Sequence, residues 1–297
     1  MKVSIEGILP PIATPFVDGR VAHDRLRENL DRWNRTHLAG YVVFGSNGEA
    51  VHLDQEEKLA LVETVKQNLP HGKLLIAGTG CQSTTATVRL TNLAAEKGAD
   101  AALVFTPHYY KAKMDNAALK KHYLTIAEQA NIPILIYNVP QFTGVNVSPE
   151  LVASLAEHPK IIGIKDSSGN ITQIGEMIAT TPPPPGFHVL AGSAGHLLAA
   201  LALGASGGIL ALANVAPDEC CRIFDDFRNG RHTEARKLQL KLLAANRAVT
   251  AGFGVAGLKS ALDMVGYFGG DPRLPLLPLE EEQKNELREI LKRANLI

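Results

Sequence analysis

IIGIKDSSGN, residues 161–170, is an apolar run that ends at one lysine and breaks into a polar turn. A run of that length bounded by turn residues reads as a buried strand. Lys165 closes it, and burial disfavours a charged ammonium. A lysine in this position is paired with a carboxylate, snorkels to the rim, or has chemical work there.

The same pattern recurs along the chain. GILPPIA from Gly7, GYVVFG from Gly40, KLLIAG from Lys73, AALVF from Ala101, PILIYN from Pro133, HVLAG from His188 and GGILALA from Gly207 are short apolar runs, each followed by a segment of helical periodicity. With IIGIK they make eight units at spacings of roughly 20 to 35 residues, the length of a strand, a crossover helix and two loops. Strands apolar on both faces and separated by helices build a parallel sheet. Eight such units closing on themselves predict an α/β fold, a TIM (β/α)8 barrel over residues 1–230. The alternative is an open doubly wound sheet, but no G-x-G-x-x-G follows the first run.

Helix ends are marked too. In SPELVASLAEHP, Ser148 reads as an N-cap and Pro149 as the first helical residue. LDQEEKLALVETVKQNLP opens with acidic residues after Asp54, which suits the helix dipole. Residues 231–297 hold HTEARKLQLKLLAANRAV, GVAGLKSALDMVG and EEEQKNELREILKRANL, whose apolar spacing predicts a C-terminal helical extension.

Bulk composition narrows the partners. Lys plus Arg and Asp plus Glu are both 30, giving zero net charge, so nothing electrostatic calls for nucleic acid or an anionic membrane. The three cysteines have no metal-type spacing, which argues against a disulfide framework or structural zinc and predicts a reduced, cytoplasmic setting. The start, MKVSIEGILPP, lacks the apolar core of a signal peptide. LLAALALGASGGILALANVAP from Leu197 is interrupted by Gly204, Ser206, Gly207 and Gly208 and reads as helix, turn and strand, not as a membrane span.

Chemistry in a barrel of this kind belongs at the C-terminal ends of the strands. Lys165 ends the sixth run, Tyr137 ends the fifth, and GSNGE, residues 45–49, follows the second; Lys73 precedes its strand and falls on the opposite face. A neutral lysine amine can attack a ketone, and the resulting imine stabilises a carbanion equivalent with no metal or cofactor. Tyr137 is placed to shuttle protons, or it is a buried tyrosine with a satisfied hydroxyl. Ser46 and Asn47, between glycines, suit a carboxylate, or the loop is only a helix cap. His108, His122 and His196 do not have metal spacing and read as structural or peripheral.

GSNGE, TPHYY (106–110), YNVP (137–140), GIKDSSG (163–169), AGSAG (191–195) and ALGASGGILALANVAP (202–217) together resemble the dihydrodipicolinate synthase and N-acetylneuraminate lyase superfamily across essentially the whole chain. The resemblance implies a cytosolic barrel, a homotetramer built from dimers, that forms an imine between pyruvate or another 2-oxo acid and Lys165. It implies Tyr137 as proton shuttle and Ser46 and Asn47 at the pyruvyl carboxylate. Tyr109 would reach into a neighbouring subunit to complete a hydroxyl relay with Ser46 and Tyr137. Ser167, Gly208, Ile209 and Phe142 fall at substrate-binding positions.

The chain departs from the synthases at YNVPQFTG, where Phe142 stands in place of an arginine that holds the second substrate's carboxylate. KDSSG, LLIAGTGCQSTTATV and VLAGSAG look closest to 4-hydroxy-2-oxoglutarate aldolase, and 2-keto-3-deoxygluconate-type aldolases share much of the pattern. The expectation is therefore a class I aldolase cleaving a 4-hydroxy-2-oxo acid to pyruvate and an aldehyde, first 4-hydroxy-2-oxoglutarate. The alternatives are 4-hydroxy-tetrahydrodipicolinate synthase and a catalytically silent 2-oxo-acid binding protein. With Phe142 uncharged, Lys111 and Lys113 are the expected partners of a distal carboxylate.

Overall fold

The protein is described here by a computed structural model covering residues 3–297; Met1 and Lys2, which open the N-terminal stretch read above, lie outside the described residues. All eight apolar runs form strands: β1 Gly7–Leu9, β2 Gly40–Val43, β3 Leu74–Ala77, β4 Ala101–Phe105, β5 Ile134–Asn138, β6 Ile161–Asp166, β7 His188–Ala191 and β8 Gly207–Ile209. Neighbours pair in chain order from β2 to β8, and β8 pairs with β1. The ring closes where Ala39 N donates to Ile8 O (2.9 Å), Val42 N to Pro10 O (3.0 Å) and Ile12 N to Val42 O (2.9 Å). The fold is a TIM (β/α)8 barrel with a C-terminal helical extension. Its β1–β8 seam is close: Gly207 has φ +149°, and a Cβ there would lie 2.0 Å from the Gly7 carbonyl oxygen, so only glycine fits.

The crossover helices are α1 His23–Trp33, α2 Gln55–Gln67, α3 Thr84–Glu96, α4 Asn116–Gln129, α5 Pro149–Ala156, α6 Ile171–Thr180, α7 Leu197–Leu203 and α8 Pro217–Arg228. Their caps follow the sequence: Asp54 and Glu57 form a capping box on α2, and Ser148 Oγ accepts from Leu151 N on α5, satisfying amides that a helix start leaves free. The extension follows as α9 His232–Arg247, α10 Gly254–Met264 and α11 Glu281–Arg293. The Leu197 segment is helix, turn and strand, and no helix among the described residues is long and apolar enough to cross a membrane.

Two features were not expected. A two-stranded hairpin, Phe16–Val17 with Arg20–Val21, turns at Asp18-Gly19, both with positive φ, the geometry that Asp-Gly favours. A π-helical turn, Ala248–Gly252, separates α9 from α10.

Apolar packing has two layers. Leu9, Val42, Ile76, Leu103, Leu135 and Ile209 belong to a cluster inside the barrel. A larger cluster lies outside it, against the helices, and runs without a break into Leu242, Leu258, Leu287 and Leu291 of the extension.

One irregularity sets the direction of Lys165. Between β5 and β6 the register shifts, so that Ile134 faces Ile161 but Leu135 faces Gly163, skipping Ile162. Side chains alternate faces along a strand, and one extra residue reverses every later one. With this bulge Lys165 aligns with Tyr137, whose side chain is part of the interior cluster. Without it Ile164 would take that place and Lys165 would face outward.

Candidate active site

A single row crosses the C-terminal end of the barrel: Phe105 beside Tyr137, Tyr137 beside Lys165, Lys165 beside Leu190. Lys165 is 2% exposed and Tyr137 5%, and the Lys165 ammonium lies 4.2 Å from the Tyr137 ring centroid, a cation–π distance. Ser46 Oγ is 3.3 Å from the Tyr137 hydroxyl, either atom able to donate. Among the described residues Lys165 stands in none of the ion pairs. The paired-lysine reading is thereby removed.

Asp166, next along β6, is fully buried. Its carboxylate accepts from Asn138 Nδ2 (2.7 Å), Gln173 Nε2 (2.9 Å), Ser168 N (2.9 Å) and the Ser168 hydroxyl. A buried charge is tolerable when its lone pairs are met this way, and the set ties the turn after Lys165 to β5 and α6. His196 lies near this group; burial pulls its imidazole below the ordinary value, with Asp166 opposing.

A cavity of about 770 Å³ opens over Tyr137, with Ser46, Phe105, Phe142 and Phe253 on its wall. Its far side is the extension, from Thr250 to Ala256 and Leu276 to Glu280. Among the described residues no Lys or Arg lines it, and its ionisable side chains besides Tyr137 are His52, His108 and Glu280. His108, read from sequence as peripheral, is on this wall. Gln82 holds it there, accepting from the backbone N–H of His108 and of Tyr109 at 3.0 Å.

The other sequence-derived positions divide. Ile209 joins Tyr137 in the interior cluster, and Gly208 pairs beside it with Ala191. Asn47 is half-buried next to Ser46 but is not on the cavity wall. The Ser167 hydroxyl packs over the backbone of Gly192, where a Cβ would meet it at 2.0 Å. Phe142 is 71% exposed at the mouth, while Tyr109, 77% exposed, stacks edge-on with Tyr110 and lines no part of this cavity. Lys111 lies against Gly144, and neither it nor Lys113 is on the cavity wall.

Sequence reasoning missed the charged group behind the Ser46 turn. Glu49 and Lys259, both with fully buried side chains, form an ion pair at 2.8 Å. Arg273 N donates to Glu49 Oε2 at 2.9 Å, and the Arg273 guanidinium grips Glu57 with two bonds of 2.6 and 2.8 Å. The signal was present: Lys259 is a lone charge on the apolar side of GVAGLKSAL.

Comparison with known proteins agrees with the fold. A sequence profile described as the dihydrodipicolinate synthetase family matches residues 4–294. A 4-hydroxy-tetrahydrodipicolinate synthase from Methanothrix thermoacetophila is 38% identical over 288 residues, 96% of this chain and 95% of the relative. The crystal structure of dihydrodipicolinate synthase from Thermotoga maritima superposes with a TM-score of 0.95 at 29% identity, covering 99% of this chain and all of that one. The enzyme from Acinetobacter baumannii, crystallised with pyruvate, gives 0.92 at 32%, covering 98% and 99%.

Proposed function

The chain belongs to the dihydrodipicolinate synthetase family, and from that premise we propose that Lys165 forms the imine, Tyr137 shuttles protons, and Ser46 with Asn47 holds the pyruvyl carboxylate. It is a carbon–carbon lyase of the Schiff-base-forming, pyruvate-dependent kind. The observation that carries the assignment is that Tyr137, at the C-terminal end of the barrel, touches both the Lys165 amine and the Ser46 hydroxyl. The Lys165 amine adds to the C2 carbonyl of pyruvate, and Tyr137 protonates the oxygen that leaves as water. Loss of a C3 proton gives an enamine, which adds to an aldehyde; the reverse sequence cleaves an aldol. Ser167, Gly208 and Ile209 would shape the pyruvyl pocket. Tyr109, remote from the relay in one chain, would serve a neighbouring site in a cytoplasmic homotetramer built from dimers.

Two aldehydes compete. The relatives' names favour aspartate semialdehyde and hence the synthase reaction, which moves ahead of 4-hydroxy-2-oxoglutarate cleavage, the first reading from sequence. Aldolase activity is kept as the second reading by Phe142, which offers a second carboxylate no partner at the mouth. Borohydride added with pyruvate should reduce a pyruvyl adduct onto the Lys165 peptide alone; no adduct at saturating pyruvate sinks the imine. Rates of aspartate semialdehyde condensation and of hydroxylated 2-oxo-acid cleavage, measured side by side, then decide the partner.

A further inference from the structure

Glu49 ends the turn that carries Ser46 and Asn47, and it is held in an unusual state. Its φ is +56°, a left-handed conformation costly for a residue with a side chain and kept only where the surroundings impose it. Its carboxylate meets three groups: Lys259 Nζ at 2.8 Å, Arg273 N at 2.9 Å and His52 Nδ1 at 3.2 Å. Lys259 is fixed in turn by the Asp271 carbonyl at 2.9 Å, and the Phe16 ring lies 4.3 Å from both the Lys259 ammonium and the Arg273 guanidinium. On the barrel side, the Thr14 hydroxyl donates to Gly48 O at 2.7 Å. The turn is thus gripped at Gly48 and Glu49, directly after the two residues assigned to pyruvate.

A buried ion pair is a poor device for stability alone, since apolar side chains of similar size often serve as well. It does fix direction, because a buried carboxylate has few acceptable places to lie. Resting on the imine reading above, we propose that the Glu49–Lys259 pair is a positioning device: through it residues 231–297 set the Ser46–Asn47 turn against Tyr137 and Lys165.

The test uses the full-length protein. Lys259→Met leaves Glu49 without its cation, Glu49→Gln/Lys259→Met removes both charges, and Leu291→Ala weakens the extension without touching the turn. Each is assayed where it is at least nine-tenths folded, for pyruvate KM and kcat, for borohydride trapping at low pyruvate, and for hydrogen exchange in the peptide spanning residues 45–53. Lys259→Met is expected to raise pyruvate KM by about tenfold or more and to speed exchange in that peptide, whereas Leu291→Ala should leave both within about twofold. The double variant should regain melting temperature over Lys259→Met yet keep the raised KM.

Equal KM and exchange in Lys259→Met and Leu291→Ala would overturn the proposal, as would a double variant with native KM. If Lys259→Met does not fold, comparing the double variant with Leu291→Ala decides the same question. Failure of the native protein to trap pyruvate at all would strike the imine reading instead, and the exchange measurement keeps the two failures apart.

Discussion

Tyr137 is enclosed by the interior cluster, stacked against the Lys165 ammonium and within reach of Ser46, so removing only its hydroxyl isolates proton transfer. Tyr137→Phe should lower kcat by roughly 10²- to 10⁴-fold with little change in melting temperature; a loss under threefold would remove it from the relay. Phe142→Arg, at the exposed mouth, should raise kcat/KM for aspartate semialdehyde by on the order of tenfold, about the worth of one charge-assisted contact. His122 makes a residue-scale prediction of another kind. Burial pulls its imidazole down to about 4, while the unfolded chain keeps the ordinary value near 6.5. Stability from neutral His122 is therefore whole above pH 6.5 and lost as pH falls from there through about 4, at up to about 1.4 kcal/mol per pH unit. Denaturant titrations of native protein and His122→Gln between pH 7 and 5 should show the variant with the flatter profile. Lys165 and Tyr137 were legible because strand-end chemistry stands out against apolar runs. Lys259 was legible only as a lone charge on an apolar helix side, and its pairing with Glu49 not at all, because nothing local announces a partner more than two hundred residues away.

Among the elements, those that declared themselves by period and cap were readable to within a residue or two: Asp54 and Glu57 fix the start of α2, Ser148 and Pro149 that of α5. The β6 bulge was not readable. IIGIK gives no sign that Ile162 is skipped, since Ile161, Ile162 and Ile164 suit either face; only pairing with β5 decides. Inserting one alanine between Ile164 and Lys165 should consequently turn Lys165 from the barrel interior and abolish borohydride trapping while circular dichroism stays β/α in character; full trapping would show that the register does not set the direction of the lysine. The extension can be tested at its last helix. Leu291 of α11 is fully buried in the cluster shared with the barrel helices, and Leu291→Ala should cost roughly 2–5 kcal/mol in a single cooperative transition. Two separate transitions would mean that residues 231–297 melt by themselves.

At the scale of the whole molecule, composition and spacing led to the barrel, but the cavity was beyond them: its far wall comes from Phe253, Val255 and Leu276 to Leu279, brought back over β2 and β5 by folding alone. Tyr109, exposed in one chain, raises the question of assembly. Tyr109→Phe and Tyr137→Phe proteins should each be nearly inactive, and a mixture allowed to exchange subunits should recover part of the activity; proven exchange without recovery would leave Tyr109 out of the neighbouring site. The grip on Glu49 also has a consequence in time. Arg273 follows Glu49 by 224 residues, which at roughly 5–20 residues per second of synthesis is an interval on the order of tens of seconds. In its later part, once Lys165 has been made, the nascent chain has the lysine, the tyrosine and the strands that carry them, but the turn at Ser46 has no hold from behind. On the roles proposed above, the means to orient a substrate would then come after the residues that react with it, and a chain released before Arg273 would carry its amine without them.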